Sequence, residues 1–136
     1  MTCLLDVTHC VHLLMRSPQV VPRAPIDECR VSAVTAGELY AGVHHSVDSR
    51  RTRNHAAVLD FLGAVAVLAL DEQVARVYAG LCVSTEGAVR GIGAHELWVI
   101  AHALALDVPL ITSTPHRFAS IPGLSTDNWM QADAAR

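Results

Sequence analysis

The sequence predicts an α/β fold, a three-layer α/β/α sandwich around a mainly parallel central sheet. Two observations support it: short apolar runs alternate with helical stretches along the 136 residues, and turn residues separate them. The chain is 51% hydrophobic, which suffices for one sizeable core, and it has no room for two ordinary domains. We therefore expect a single domain over residues 1–130 and a frayed tail at 131–136.

Five apolar runs have the length and composition of strands. They cover residues 2–6, 31–34, 65–70, 109–112 and 124–129. The last run follows a loop through Pro122 and Gly123, so we expect it at an edge of the sheet.

Helical patterns occupy the segments between these strands. They cover residues 8–16, 35–46, 51–62, 71–85 and 94–106. Pro18 interrupts the first pattern. Thr35 and Asp71 are expected to begin the second and fourth helices as caps, and a glycine-punctuated loop at 87–93 precedes the fifth.

Three carboxylates lie beside apolar sequence: Asp6, Glu38 and Glu96. An ionised carboxylate at the edge of a core is costly unless a cation compensates it, and carboxylate oxygens suit a hard divalent metal ion. Functional groups of a parallel sheet gather at the carboxyl ends of its strands, where Asp6 and Thr112 fall. The pattern is typical of a metal-dependent nuclease.

Each acid also has a structural alternative. Asp6 is suited to capping the first helix, and for a single aspartate capping is the commoner role. Glu38 stands three residues after Thr35, as in a capping box, and this interpretation is favoured for Glu38 taken alone. Glu96 lies in a first helical turn, where the helix dipole favours an acid, but the apolar face beneath it favours a position in a cleft.

The charge balance does not by itself indicate a nucleic-acid-binding protein. The net charge is −3, and all ten basic residues are arginine. A local cluster of Arg50, Arg51 and Arg53 is a candidate RNA contact, although a solvated helix start is the commoner explanation of such a cluster.

The four cysteines form no C-x-x-C pair, so a disulfide framework is not expected. His9, Cys10 and His12 lie close together in sequence, but no second ligand pair accompanies them, and a zinc site is not favoured.

No apolar run approaches the roughly 20 residues of a membrane span, and the opening segment is too short for a signal peptide. We expect a cytoplasmic protein with no membrane association.

Five segments resemble a PIN-domain ribonuclease of the VapC toxin group. They are Leu4-Leu-Asp-Val-Thr8, the run from Val31 to Gly42 containing Thr35-Ala-Gly-Glu38, the run from Ile92 to Leu106, Leu110-Ile-Thr112, and Phe118-Ala-Ser-Ile-Pro-Gly-Leu124. The resemblance implies a PIN-like fold whose acids bind Mg²⁺ or Mn²⁺ and hydrolyse RNA. It also implies a cognate antitoxin and a homodimer. By motif, Asp6 and Glu96 are metal ligands, and Glu38 is the second catalytic acid.

Two departures from the family pattern affect the acids directly. Val7 and Thr8 stand where the family usually has threonine and asparagine, which removes a hydroxyl and an amide. Glu96 stands at a position where aspartate is usual, so its carboxylate reaches about one methylene further.

A third departure follows the fourth strand. No carboxylate stands at Ser113 or Thr114, so Thr112, Ser113 and Thr114 can supply only hydroxyls to the site. The alternative hypothesis is therefore a PIN-like domain that has lost turnover and binds an antitoxin or RNA. A phosphoacceptor receiver domain also places acids at strand ends, but it needs a lysine, and this chain has none.

Overall fold

The computed structural model describes residues 2–84 and 89–131. The strands in this part are β1 (Cys3–Leu5), β2 (Cys29–Ser32), β3 (Ala66–Leu68), β4 (Leu110–Ile111) and β5 (Thr126–Asp127). The α-helices are α1 (Val7–Leu14), α2 (Ala33–His44), α3 (Asp48–Ala64), α4 (Glu72–Ser84) and α5 (Ala94–Leu106). Short 3₁₀ turns lie at Ile26–Glu28 and Pro115–Phe118.

The five strands form one parallel sheet in the order β3-β2-β1-β4-β5. β1 lies at the centre, where Leu4 is in register with Arg30 of β2 and with Leu110 of β4. The predicted parallel sheet is therefore confirmed, and the last predicted strand lies at an edge as expected.

Alternate residues of the central strand belong to two different cores. Cys3 and Leu5 pack into a cluster with residues of α2 and α3, whereas Leu4 packs into a second cluster with residues of α4 and α5. Successive strand residues point to opposite faces of a sheet, so these clusters lie on its two sides. The three-layer α/β/α architecture is confirmed.

The start of α2 differs from the sequence expectation. Ser32, the last residue of β2, is the N-cap, and its hydroxyl accepts a hydrogen bond from the backbone N–H of Val34 at 3.2 Å. Thr35 lies within the helix, fully buried, and its hydroxyl has no hydrogen-bond partner. The capping box expected between Thr35 and Glu38 is wrong because the extended backbone ends at Ser32, where β2 still pairs with Leu68 of β3.

The other boundaries move by a few residues. α1 begins one residue earlier than expected, with Asp6 as its N-cap, and α3 begins three residues earlier at Asp48. Of the predicted tail at 131–136, only Gln131 belongs to the described residues. Residue 85 of the predicted fourth helix and residues 87–88 of the predicted loop also lie outside them.

The C-terminal segment is tied to the loop that follows α1. The N–H of Val21 donates to the carbonyl of Trp129 at 2.9 Å, and the N–H of Gln131 donates to the carbonyl of Gln19 at 2.7 Å. Trp129 is 4% exposed and packs in the first core. Within residues 2–84 and 89–131, no helix has the length and apolar character that a membrane crossing requires.

The assignment of the α2 cap predicts opposite effects for two hydroxyl residues. Ser32→Ala should lower the free energy of unfolding by about 1 kcal/mol, because it removes the acceptor of a helix-end N–H. Thr35→Val should leave stability unchanged or raise it, because it removes a buried hydroxyl that has no partner. Urea unfolding of both variants measures the difference. A larger loss in Thr35→Val would restore Thr35 as the cap.

Candidate active site

A pocket of about 410 Å³ opens at the carboxyl ends of β1 and β4. Asp6, Glu38 and Glu96, which come from three separate elements, all line it. Its wall also includes Thr35, the hydroxyl residues at 112–114, and Arg117. The structure thus brings the three predicted acids together in one cleft.

Asp6 caps α1 and lines the pocket at the same time. Its Oδ1 accepts a hydrogen bond from the N–H of His9 at 2.8 Å and lies 2.9 Å from Nδ1 of the His9 ring. Its Oδ2 has no hydrogen-bond partner within the described part of the chain. The capping role and a role in the site are therefore compatible, because they use different oxygens.

Glu38 is free of any capping role, since it lies in the second turn of α2. Its side chain is 32% exposed, and Oε2 is 3.9 Å from Nδ1 of His95. Burial raises the pKa of Glu38 above its usual range, and the charges of Glu96 and Asp6 raise it further, whereas His95 acts in the opposite direction. Glu38 is thus the acid whose charge is least compensated.

Glu96 is paired with an arginine that the sequence analysis did not identify. Nη1 of Arg117 donates to Oε2 at 2.8 Å and Nη2 donates to Oε1 at 3.4 Å. Arg117 also donates to the carbonyl of Gly91 at 3.2 Å and lies 5.5 Å from the ring centroid of Phe118. Oε1 of Glu96 further accepts from the N–H of Gly93 at 3.4 Å, at the start of α5.

The hydroxyl residues after β4 bond mainly to one another. The N–H of Thr114 donates to the hydroxyl oxygen of Thr112 at 3.2 Å, and the two hydroxyl oxygens are 3.4 Å apart. Thr35 also lies at the pocket, but its hydroxyl is buried and is not presented to the cleft. The pocket lining thus combines hydroxyl residues and Arg117 with apolar side chains such as Val99, Ile100 and Phe118.

The three predicted RNA-binding arginines do not share one environment. Arg50 and Arg53 line a second groove of about 560 Å³, which has Glu38 in common with the acidic pocket. Arg51 instead pairs with Asp48 at 2.9 Å and donates to the carbonyl of Ser46 at 3.3 Å. Two of the three arginines thus lie on a path that leads to the acids.

The PIN domain family model matches residues 7–124. The chain belongs to the PIN domain family. The match spans the elements from α1 to the loop before β5 and therefore includes Glu38 and Glu96, with Asp6 just before it.

Similar proteins place the chain more closely within this family. Ribonuclease VapC1 of Haemophilus influenzae is 27% identical over 134 residues, which is 95% of this chain and 98% of that protein. The tRNA(fMet)-specific endonuclease VapC of Salmonella typhimurium is 27% identical over 131 residues, 93% of this chain and 96% of that protein. The structure of VapBC-1 from nontypeable Haemophilus influenzae matches with a TM-score of 0.75 and 27% identity, covering 95% of this chain and 98% of that one.

These comparisons confirm the resemblance to the VapC toxin group and the assignment to the nucleases. Ribonucleases with a PIN domain depend on a metal ion in general. Which residues of this chain serve as ligands stays a prediction.

The chemistry of the pocket fits a divalent cation. Three carboxylates line one cleft, and a cation there would offset the burial and the repulsion from Glu96 and Asp6 that raise the pKa of Glu38. Residues 2–84 and 89–131 contain no group of three or more His, Cys, Asp or Glu side chains arranged to hold a metal ion, so the three acids line the cleft without forming a preassembled ligand set. Arg117 meanwhile compensates the charge of Glu96.

The raised pKa of Glu38 predicts a pH-dependent effect on stability. The Glu38 carboxyl group keeps its proton to higher pH in the folded protein than in the unfolded chain. The free energy of unfolding therefore falls as pH rises from the pKa of Glu38 in the unfolded chain through its raised pKa in the folded protein. Metal-free Glu38→Gln should therefore melt above the parent at about pH 8, and the difference should vanish towards about pH 4.

Calorimetric melting curves of the two proteins measure this effect. Glu72→Gln is the matched control, because the Glu72 side chain is 80% exposed and makes only a surface pair with Arg76. A Glu38→Gln variant that melts below the parent at the higher pH would show that the Glu38 carboxylate stabilises the metal-free fold.

Proposed function

We propose that this PIN-domain protein is an endoribonuclease dependent on Mg²⁺ or Mn²⁺ and the toxin of a toxin–antitoxin pair. The observation that supports it is the convergence of Asp6, Glu38 and Glu96 on one cleft. These acids come from the end of β1, the middle of α2 and the start of α5, so their meeting depends on the tertiary fold. The family and the similar proteins support a ribonuclease.

Asp6 and Glu96 would hold the ion, Asp6 through its unoccupied Oδ2. The ion would lower the pKa of a bound water and offset negative charge on the phosphate. Glu96 would exchange part of its contact with Arg117 for this role. Such an exchange is inexpensive, because an ion pair with both side chains more than a third exposed contributes little to stability.

Glu38 is the residue proposed to accept a proton. Its raised pKa brings it closer to the operating pH than an ordinary carboxylate, which favours a general base. Water adds to phosphorus as one P–O ester bond breaks. The proton that Glu38 takes from the water is returned to the oxygen that leaves.

Arg50 and Arg53 are proposed to bind the phosphates of the RNA that approaches this pocket. The groove they line meets the acidic pocket at Glu38, so a strand bound along it would reach the acids. Because one similar protein is named as a tRNA(fMet)-specific endonuclease, transfer RNA is the first substrate to assay.

The proposed partners are a cognate antitoxin and a second copy of the chain. One structural relative is a VapBC complex, which supports an antitoxin partner. A net charge of −3 gives one protomer little attraction for RNA, and a homodimer would double the local arginines. The cytoplasm is the proposed location.

A second candidate function is a PIN domain that binds RNA or an antitoxin without turnover. Two observations favour it: Arg117 already compensates Glu96, and no carboxylate stands at Ser113 or Thr114. The hydroxyls of Thr112 and Thr114, which bond to each other, would then be structural. In the active enzyme they would instead orient water beside the acids.

The proposed metal site predicts that Asp6→Asn abolishes both Mn²⁺ binding and RNA cleavage. Asparagine keeps the capping oxygen and the size of the side chain but removes the charge, so the fold should persist. Isothermal calorimetry with Mn²⁺ and a cleavage assay with and without chelator are the measurements. Asp60→Asn on the exposed face of α3 is the control and should behave as the parent. Chelator-resistant cleavage by the parent would contradict a metal-dependent enzyme.

The groove predicts unequal roles for neighbouring arginines. Arg50→Ala and Arg53→Ala should each weaken RNA binding and reduce its salt dependence by about 0.7 in the slope of log K against log salt. Arg51→Ala should change neither, because Arg51 lies outside the groove that Arg50 and Arg53 line. Fluorescence anisotropy in the presence of chelator measures binding without cleavage. Equal losses in all three variants would indicate a diffuse charge effect rather than a defined path.

A further inference from the structure

His9 lies between Asp6 and the C-terminal segment and is fully buried. Its Nδ1 is 2.9 Å from Oδ1 of Asp6, and its Nε2 is 3.1 Å from the backbone nitrogen of Trp129, a residue 120 positions away in sequence. The His9 and Trp129 rings also meet edge to face, with centroids 6.3 Å apart and an interplanar angle of 83°. Both nitrogens of this buried imidazole are therefore engaged.

The direction of these hydrogen bonds follows from the partner at Nε2. A backbone N–H can only donate, so Nε2 of His9 must accept and carries no proton. The ring proton is then on Nδ1, which donates to Oδ1 of Asp6. The backbone N–H of Trp129 thus fixes the tautomer of His9. In that tautomer, Nδ1 of His9 donates to Oδ1 of Asp6.

We propose that His9 is a positioning residue for the first acid of the site. It holds Oδ1 of Asp6 through its ring, beside the bond from its own backbone N–H, and so presents Oδ2 to the cation. This inference rests on the proposed function, because it assigns Asp6 a metal to bind. Partners that orient a ligating side chain commonly affect metal affinity although they never touch the ion.

The ring bond goes beyond what the fold requires at this position. The capping role of Asp6 is already satisfied by the backbone N–H of His9 at 2.8 Å. An apolar side chain could fill the same buried space without the cost of burying two ring nitrogens. The cost of burying the imidazole is offset because Asp6 and Trp129 form hydrogen bonds with its two ring nitrogens.

Two substitutions separate the two hydrogen bonds. The shorter carboxamide in His9→Asn can place an N–H near the position of Nδ1, which retains the donor to Asp6 and loses the acceptor for Trp129. The longer carboxamide in His9→Gln can place an oxygen near the position of Nε2, which retains the link to Trp129 and loses the donor to Asp6. Both variants keep a polar side chain of comparable size.

The readouts are Mn²⁺ affinity by isothermal calorimetry, kcat and KM for RNA cleavage, and the melting temperature of the metal-free protein. His9→Gln should weaken Mn²⁺ binding by about tenfold and lower kcat with KM for RNA unchanged, while melting close to the parent. His9→Asn should lose stability and keep most of the Mn²⁺ affinity. Equal Mn²⁺ affinities in the two variants, or losses that follow melting temperature, would overturn the positioning role.

Long-range proton–nitrogen NMR of the metal-free parent supplies a measurement that needs no variant to fold. His9 should carry its proton on Nδ1, with Nε2 unprotonated. A proton on Nε2 would overturn the inference whatever the variants do. If the parent bound no Mn²⁺ at all, the proposed metal-dependent function would be wrong, and the positioning role of His9 would be wrong with it. A parent that binds Mn²⁺ through Asp6, with His9→Gln binding it as tightly, would overturn the positioning role alone.

Discussion

The convergence of three carboxylates on one partly buried cleft is the constraint on which this site depends. Each acid is compensated differently. Asp6 is held on one oxygen by His9, Glu96 is paired with Arg117, and Oε2 of Glu38 lies 3.9 Å from Nδ1 of His95. The acid with the least compensation is the one whose pKa is raised, by burial and by its two acidic neighbours. The charge that the fold leaves uncompensated thus falls on the residue best suited to accept a proton.

The parallel sheet explains why these acids converge. The residues that follow β1 and β4 leave the sheet at the carboxyl ends of these parallel strands, and α5 begins beside them. Residues that are distant in sequence therefore meet there. The alternation of apolar runs and helical patterns was sufficient to predict this arrangement and the place of Asp6 at a strand end. It did not predict the start of α2, because Ser32 and Thr35 both have side chains that cap helices. The pairing of Ser32 with Leu68 decides between them, and that pairing is a tertiary contact.

The same limit applies to the site. The three acids were found in the sequence because each lies in a recognisable motif beside apolar residues. Arg117 and His9 were not assigned to the site, because their partners are defined only by the folded chain. Arg117 reaches Glu96 across 21 residues from a 3₁₀ turn without helical periodicity, and His9 reaches Trp129 across 120 residues. Charge compensation is a property of the assembled site, so sequence motifs identify the acids more readily than the groups that offset them.

The contact between His9 and Trp129 links the chemistry of the pocket to the chain beyond an edge strand of the sheet. β5 is two residues long and lies at an edge, and short edge elements open at lower free energy than central strands. When this segment is in place, Trp129 seals His9 and fixes its donor on Asp6. Without the N–H of Trp129, Nε2 of His9 would lack its partner, either ring nitrogen could carry the proton, and Oδ1 of Asp6 could lose one of its two donors. The orientation of the first acid at the centre of the sheet therefore depends on docking of the last strand at its edge.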